Sequence, residues 1–300
     1  MLDGGGLSLS KRRFIFSPDI NVLAKITRKP LFLVLPLILY MSAFYIYPLL
    51  RMFILSLFSP DLTAKHYQSF FQTPTNFYSL RVTFEISLLV TSLCLLIGYP
   101  LSYYLSTCPS RKASLLFILV LIPLWTSVLV RTYAWIVILG RNGVINQILQ
   151  KSGIIEQPLK LIYNRLGLTI GMVHVMMPFM VLSLYSVMVG IDRNLLKAAQ
   201  NLGASPFRAF RKIFFPLSMP GILAGCILVF IISTGFFVTP ALLGGPKDLM
   251  IAMIIDQAVE VLLNWEFASA ASFILLFLII TIFLISGKVV GFDKLWGKKI

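Results

Sequence analysis

Long apolar stretches alternate with short polar segments along most of the chain. A helix that crosses a bilayer needs about 20 apolar residues, because every backbone N–H and C=O must be satisfied within the segment. The first stretch can continue as a kinked helix past Pro48 and Arg51 toward Phe58, since a proline removes one helical hydrogen bond without ending a membrane helix. The pattern predicts an all-α integral membrane protein with six transmembrane helices: 30–47, 84–105, 115–139, 168–189, 222–243 and 268–285.

Composition agrees with this pattern. Hydrophobic residues make up 58% of the chain and charged residues 12%, whereas soluble domains carry about 25% charged residues. The formal net charge of +15 would also suit a protein that binds nucleic acid. The positions of the cations along the chain distinguish this possibility from a membrane topology signal. With the amino terminus inside, most Lys and Arg residues fall on the cytoplasmic side, which is the positive-inside bias of membrane proteins. This predicts that both termini are cytoplasmic and that lipid, not nucleic acid, is the partner. The cations assigned to the outer side are Arg51, Lys65, Arg81, Arg131, Arg141, Lys151, Lys160, Arg165 and Lys247.

The spans divide the chain into a cytoplasmic tail 1–29, a membrane domain 30–289 and a cytoplasmic tail 290–300. The first tail has no apolar core followed by a small-residue cleavage site, so we do not expect a removed signal peptide. The longer connecting segments are 59–80, 140–167 and 244–267 outside and 190–216 in the cytoplasm.

Two kinds of site are not predicted. The cysteines Cys94, Cys108 and Cys226 lie in or beside spans, at spacings that fit neither a disulfide framework nor a metal site. The pair Gly287–Lys288 lacks the earlier glycine and the following Ser or Thr of a phosphate-binding loop. If nucleotide drives this protein, another subunit binds it.

The cytoplasmic segment 190–216 predicts two short helices that meet at a bend. Asp192 or Asn194 can cap the first helix, and Gly203 can take the left-handed conformation that ends it. Ser205 can then cap a second helix, with a proline at its first position. Pro216 is expected to mark the return to the bilayer.

The same segment resembles the EAA loop of ABC importer permeases, whose pattern is E-A-A, three residues, G, nine residues and I-x-L-P. Ala198, Ala199, Gly203, Ile213 and Pro216 fall on the family positions, and "LGAS" and "PLSMPGI" surround them. The coupling residues that the resemblance implies are Lys197, Ala198, Ala199, Leu202, Gly203, Ala204, Ser205, Ile213 and Pro216.

The resemblance implies a type I importer permease fold whose loop docks into a cleft on a cytoplasmic ABC ATPase. Two ATPase copies, a second homologous permease and an external solute-binding protein would complete the assembly. ATP and Mg would be bound by the ATPase, so this chain is expected to be non-catalytic and to hold no cofactor. Lys197 replaces the glutamate of the pattern, which reverses a charge that would face the ATPase and hints at a heterodimer with an intact partner permease.

Two further stretches resemble the permeases of spermidine/putrescine importers, specifically the first membrane subunit. They are "PLWTSVLVRTYAWIVILGRNGVINQIL" at 123–149 and "FVTPALLGGPKDLMIAMIIDQAV" at 237–259. The resemblance implies a polyamine substrate in an inner (cytoplasmic) membrane. Permeases of this subfamily also serve other solutes, so an amino acid, an opine-like compound or another organic cation remains an alternative.

A polycation needs acidic or aromatic groups along its route. Glu85 is either a residue of this route or a carboxylate paired with Arg81, four residues earlier on the same helix face. Asp256 and Glu260 share a helix face by the same spacing, where they meet either a cation or only solvent.

Tyr133 and Trp135 follow Arg131 near the outer end of the third span. They belong either to the aromatic belt at the membrane interface or to the route. His174 in the fourth span stands apart from other ligand residues, which favours a packed or hydrogen-bonded ring.

Two other functional classes find little support in the sequence. A secondary transporter or channel should have broken spans and a buried ion-coupling site, for which Glu85 alone is weak support. A membrane-embedded enzyme should pair a nucleophile with a base or carry an H-E-x-x-H motif, and the sequence has neither.

Overall fold

The structure is a computed structural model that describes residues 30–58 and 61–290. This part of the chain contains helices, turns and one isolated antiparallel bridge between Phe58 and Leu62. It divides into two compact units, with the boundary between Met52 and Phe53. The predicted tails 1–29 and 290–300 lie outside the described residues, apart from Val290 at the end of the last helix.

The first span consists of α1 (Pro30–Met41), a π-helical turn (Ser42–Ile46) and α2 (Tyr47–Leu57). In the π turn the N–H of Tyr47 bonds the carbonyl of Ser42, five residues earlier. Such a wide turn accommodates the missing donor of Pro48, which follows it. The helix therefore passes the proline and ends at Leu57, as the sequence predicts.

The second unit contains four helices of 20 residues or more, three of which pack together at its centre, and several shorter ones. A further π-helical turn, Phe210–Phe214, lies between α10 and α11. The helices are α3 (Lys65–Gln72), α4 (Pro74–Thr107), α5 (Ser110–Trp125), α6 (Val128–Leu139), α7 (Val144–Lys151), α8 (Arg165–Met188), α9 (Asn194–Asn201), α10 (Pro206–Ala209), α11 (Phe215–Thr234), α12 (Val238–Leu243), α13 (Ile251–Glu260) and α14 (Trp265–Val290).

Six helical segments are long and apolar enough to cross a membrane, which confirms the predicted number. They are Val34–Leu57, Pro74–Thr107, Val128–Lys151, Arg165–Met188, Pro206–Thr234 and Trp265–Gly287. Helix α4 begins ten residues before the predicted start at 84 and is about 51 Å long at 1.5 Å per residue. It therefore extends beyond a hydrocarbon core of about 30 Å.

The predicted third span, 115–139, is not one helix. It is broken between α5 and α6, where Thr126 and Ser127 have extended backbone conformations. Pro123 lacks a donor, and the hydroxyl of Thr126 donates to the Pro123 carbonyl at 3.0 Å, which satisfies a helix end inside an apolar stretch. Hydropathy does not reveal such a break, because the residues on both sides of it are equally apolar.

The fifth span also differs from its predicted bounds of 222–243. It ends at Thr234, and residues 238–243 form α12, which packs on α6 and α8. At its other end the helix does not restart at Pro216. It runs from Pro206 through the second π turn, where the N–H of Phe215 bonds the carbonyl of Phe210 and the wide turn tolerates the following proline.

The core of the second unit lies where α4, α8 and α11 pack together. Helix α8 supplies a stripe of fully buried side chains at a spacing of four residues: Met172, Met176, Met180, Leu184 and Met188. Methionine has three rotatable bonds and fills irregular gaps between helices. This stripe fixes the orientation of α8, and with it the direction in which the following loop leaves the bundle.

Gly221 marks a close approach of α11 to α8. A Cβ at this position would lie 3.0 Å from Val187 Cβ and 3.2 Å from the Ser183 carbonyl oxygen. We expect Gly221→Ala to destabilise the fold by about 1–3 kcal/mol through overpacking, measured as a lower unfolding temperature in detergent. The matched control is Gly235→Ala, where an added Cβ meets nothing within 4 Å. Equal unfolding temperatures for the two variants would show that the helices separate at little cost.

Candidate functional site

Helix α9 is the first element of the loop that joins α8 to α11. The carboxylate of Asp192 accepts a hydrogen bond from the N–H of Asn194 at 2.9 Å, where the helix begins. Of the two predicted caps, the structure therefore uses Asp192. A carboxylate here satisfies a backbone donor that the helix itself leaves unpaired.

Gly203 ends α9 in the predicted left-handed conformation, with a φ of +87°. The N–H of Ala204 bonds the carbonyl of Ala199 at 3.0 Å, and the N–H of Gly203 bonds that of Gln200 at 2.9 Å. These two bonds form the Schellman motif that closes a helix. The bend is therefore defined by backbone geometry that a glycine adopts without strain.

The second helix starts as predicted. The hydroxyl of Ser205 accepts from the N–H of Arg208 at 3.3 Å, and Pro206 occupies the first helical position. Two capped helices separated by four residues give the loop a fixed shape, whose exposed part we call the knob (Leu195–Phe207).

The knob presents apolar side chains to its surroundings. Leu202 is 89% exposed and Phe207 71% exposed, while Lys197, Ala198 and Gly203 are also exposed. Ala199 and Ala204 are half-buried, as is Ile213, which lies with Pro216 on the following helix outside the knob. Leu195 and Phe207 were not predicted from the sequence. The available signal was large apolar residues in a cytoplasmic segment that also carries several polar and charged residues.

Arg193 attaches the knob to the bundle. Its Nη2 donates to the carbonyl of Ser106 at 3.0 Å and to the hydroxyl of Ser106 at 2.9 Å, close to the end of α4. The guanidinium carbon lies 5.0 Å from the ring centre of Phe214 and 5.8 Å from that of Tyr103, within cation–π range. The sequence suggested only a topology-determining cation at this position.

Aromatic rings surround this attachment. Tyr103 packs edge-on against Phe210 and Phe214, with ring centres 5.4 and 4.9 Å apart. The hydroxyl of Tyr99 hydrogen-bonds that of Ser218 at 3.0 Å. Helices α4 and α11 are thus joined beside the knob, so a displacement of the knob reaches both.

Glu85 lies at the opposite end of the bundle and is paired. It accepts from Arg81 Nε at 2.8 Å, as the spacing of four residues predicts, and from Arg165 Nη2 at 2.6 Å. Its side chain is 38% exposed, so it does not form the buried ion-coupling site that a secondary transporter requires. The sequence gave no sign of the second arginine, which comes from α8.

Trp135 and His174 are in direct contact. The indole Nε1–H donates to His174 Nδ1 at 3.1 Å, which places a hydrogen bond between α6 and α8. The histidine is therefore hydrogen-bonded, as the sequence favours. Tyr133, the neighbouring candidate, is exposed.

Arg131, which the count of charges assigns to the outer side, lies in the helical segment Val128–Lys151, which is long and apolar enough to cross a membrane. It lies in the first turn of α6, eight residues or about 12 Å before the helix ends at Leu139. Because this part of the chain is apolar on both sides, the structure places a cation inside a membrane span.

Asp256 and Glu260 lie on the face of α13 that points away from its buried face. The buried face carries Ile251, Ile254 and Ala258. In the described part of the chain, no recorded hydrogen bond or ion pair joins this acidic pair to Glu85 or Trp135. The predicted route residues therefore form separate groups. Within residues 30–58 and 61–290, no three His, Cys, Asp or Glu side chains are grouped so that they could hold a metal ion, and the three cysteines are free thiols.

Several known proteins are similar to this chain in sequence. Residues 14–291 match the family described as binding-protein-dependent transport system inner membrane component. The chain is 37% identical over 217 residues to the spermidine/putrescine transport system permease protein PotB of Haemophilus influenzae, covering 66% of this chain and 76% of the relative. It is 37% identical over 199 residues to PotB of Escherichia coli, with coverages of 66% and 72%. The molybdenum transport system permease protein ModB of Azotobacter vinelandii is 29% identical over 195 residues, with coverages of 64% and 83%.

Solved structures share the fold. A bacterial ABC transporter involved in the import of the acidic polysaccharide alginate aligns with a TM-score of 0.69 at 18% identity, covering 90% of this chain and 98% of the other. A bacterial alginate ABC transporter in complex with an alginate pentasaccharide-bound periplasmic protein gives a TM-score of 0.72 at 20% identity, with coverages of 90% and 97%. The six spans and the family match make this chain a multi-pass inner membrane protein with a transport role. It belongs to the family of binding-protein-dependent transport system inner membrane components.

Proposed function

We propose that this chain is the permease subunit of an ATP-driven importer of polyamines, and that the knob docks on a cytoplasmic ABC ATPase. The observation that carries the proposal is the knob itself: a rigid, capped, apolar surface attached to two spanning helices. Small exposed residues such as Ala198 and Gly203 let a partner surface approach the backbone, and Leu202 and Phe207 offer apolar area to bury.

Coupling follows from linkage between the two ends of the protein. An ATPase changes the orientation of the spans only if it binds one arrangement of the permease better than the other. Arg193 and the rings around Tyr103 supply the connection, since they join the knob to α4 and α11. ATP and Mg would be bound by the ATPase alone, in two copies.

A second permease and an external binding protein belong to the same proposal. Lys197 in place of the family glutamate supports a heterodimer in which the other permease keeps the acidic contact. The binding protein would select the solute and release it at the end of the bundle opposite the knob.

The similarity to two PotB proteins supports spermidine or putrescine as the solute. Aromatic faces bind ammonium groups, so Tyr133 and Trp135 suit such a route, and Asp256 and Glu260 offer carboxylates that have no partner among the described residues. Glu85 suits it less, because two arginines already neutralise it.

The test is a mild-detergent pull-down of the chain from its native membrane, followed by uptake of radiolabelled spermidine and putrescine into proteoliposomes with and without ATP. We expect an ATPase and a second permease to co-purify and uptake to require ATP. Recovery of the chain alone, active in an ion gradient, would contradict the proposal. An ATP-dependent complex that takes up neither polyamine would contradict only the solute.

A further inference from the structure

Arg131 is a charged side chain inside a membrane span that lacks the partners it needs. Its Nε and Nη1 are buried, and neither has a hydrogen-bond partner in the structure. Neither of the ion pairs found among residues 30–58 and 61–290 includes Arg131. A guanidinium carries five N–H donors and stays charged, so leaving it unpaired in an apolar surrounding is costly.

Trp135 and His174 define the chemistry beside it. Arg131 and Trp135 are four residues apart and share one face of α6. The indole N–H can only donate, so His174 Nδ1 must accept, and the neutral ring then carries its proton on Nε2. No partner of Nε2 is recorded among the described residues.

The cluster therefore offers hydrogen-bond donors and a positive charge but no free acceptor. An ammonium group finds no acceptor atom in the cluster and is repelled by the guanidinium, whereas a carboxylate can accept from the guanidinium and from Nε2. A lipid phosphate fits poorly, because Nε and Nη1 of Arg131 are buried within the protein and are not presented on its lipid-facing surface.

We infer that Arg131 and His174 form a binding site for a carboxylate within the membrane-spanning part of the protein. The carboxylate comes from one of two sources: an acidic side chain of the second permease, or the solute itself. The site is not part of the proposed function. It rests on that proposal in two respects only: the presence of a second permease and the choice of solutes for the test.

The experiment uses the complete complex in proteoliposomes, with Arg131→Gln and Arg131→Lys. The probes are putrescine and ornithine, which differ only by a carboxylate. The control is Arg141→Gln, which removes an exposed cation from the turn after α6. Unfolding temperatures of all variants separate a folding defect from a transport defect.

A carboxylate from the second permease predicts that Arg131→Gln lowers uptake of the transported solute about tenfold, whichever of the two it is. It also predicts that a membrane-permeant carbodiimide links Arg131→Lys to that subunit through an amide bond. A carboxylate from the solute predicts instead that ornithine uptake falls about tenfold while putrescine uptake is unchanged.

The carboxylate site would be refuted if Arg131→Gln took up solute at the wild-type rate and Arg131→Lys formed no cross-link. A loss shared by both solutes without a cross-link would make Arg131 a structural residue and would overturn it as well. If wild-type protein transports neither probe, the polyamine proposal fails, and the cross-linking still tests the site.

Discussion

Gly203→Asp is expected to reduce ATP-dependent uptake about 100-fold while the six-span topology stays intact. An added Cβ meets nothing within 4 Å among the described residues, so the side chain projects from the knob into the space that the ATPase would occupy. A carboxylate buried without a partner at such an interface costs several kcal/mol, and about 2.7 kcal/mol already accounts for a 100-fold loss. Uptake into proteoliposomes and recovery of the ATPase in a pull-down measure the effect.

Gly203→Asn is the matched control for charge. Asparagine has the same shape as aspartate and also tolerates positive φ, so the local backbone cost is similar in the two variants. Gly203→Ala adds only the cost of a left-handed alanine, about 1–2 kcal/mol. We expect uptake to fall in the order glycine, alanine, asparagine and aspartate. Normal uptake by Gly203→Asp in membranes that contain the protein would refute docking at the knob.

Arg193→Gln should uncouple the ATPase from transport. The substitution removes two hydrogen bonds from a charged donor, each worth about 1.5–3 kcal/mol, and the cation–π contacts with Phe214 and Tyr103. The knob itself does not contain these contacts, so the ATPase should still co-purify. We expect uptake to fall about tenfold while ATP hydrolysis by the complex continues.

Two further variants serve as controls for Arg193→Gln. Arg211→Gln removes an exposed cation from the adjacent π turn and should leave uptake unchanged. Arg193→Lys keeps the charge but loses the planar guanidinium and its stacking on Phe214. We therefore expect its uptake to be nearly as low as that of Arg193→Gln. If Arg193→Gln and Arg211→Gln transport equally well, the attachment to α4 does not carry the coupling.

Much of the membrane architecture is visible in the sequence, because burial in lipid imposes a strong local rule. About 20 apolar residues in a row must form a helix, and the structure has six such helical segments, although the third and the fifth differ from the predicted bounds. The caps of the knob are equally local. Ser205 and Gly203 act on backbone groups within five residues, so residue type and spacing suffice to predict them.

The helix bounds that were predicted wrongly have a common cause. The break before α6, the separate helix α12 and the continuous helix through Pro216 all lie within apolar stretches. Hydropathy is the same whether such a stretch is straight, broken or widened by a π turn. Which of these forms is stable depends on how the neighbouring helices satisfy the freed backbone groups.

The sequence by itself determined the class of protein, the number of spans and the shape of the knob, since each follows from interactions between residues close along the chain. Only the tertiary structure decided the roles of three arginines. Arg165 neutralises Glu85 from 80 positions away, Arg193 joins the knob to Ser106, and Arg131 buries two nitrogens that find no hydrogen-bond partner among the described residues. A cation has the same appearance in a sequence wherever it lies, and its effect depends on partners and burial that only the packing of distant helices creates.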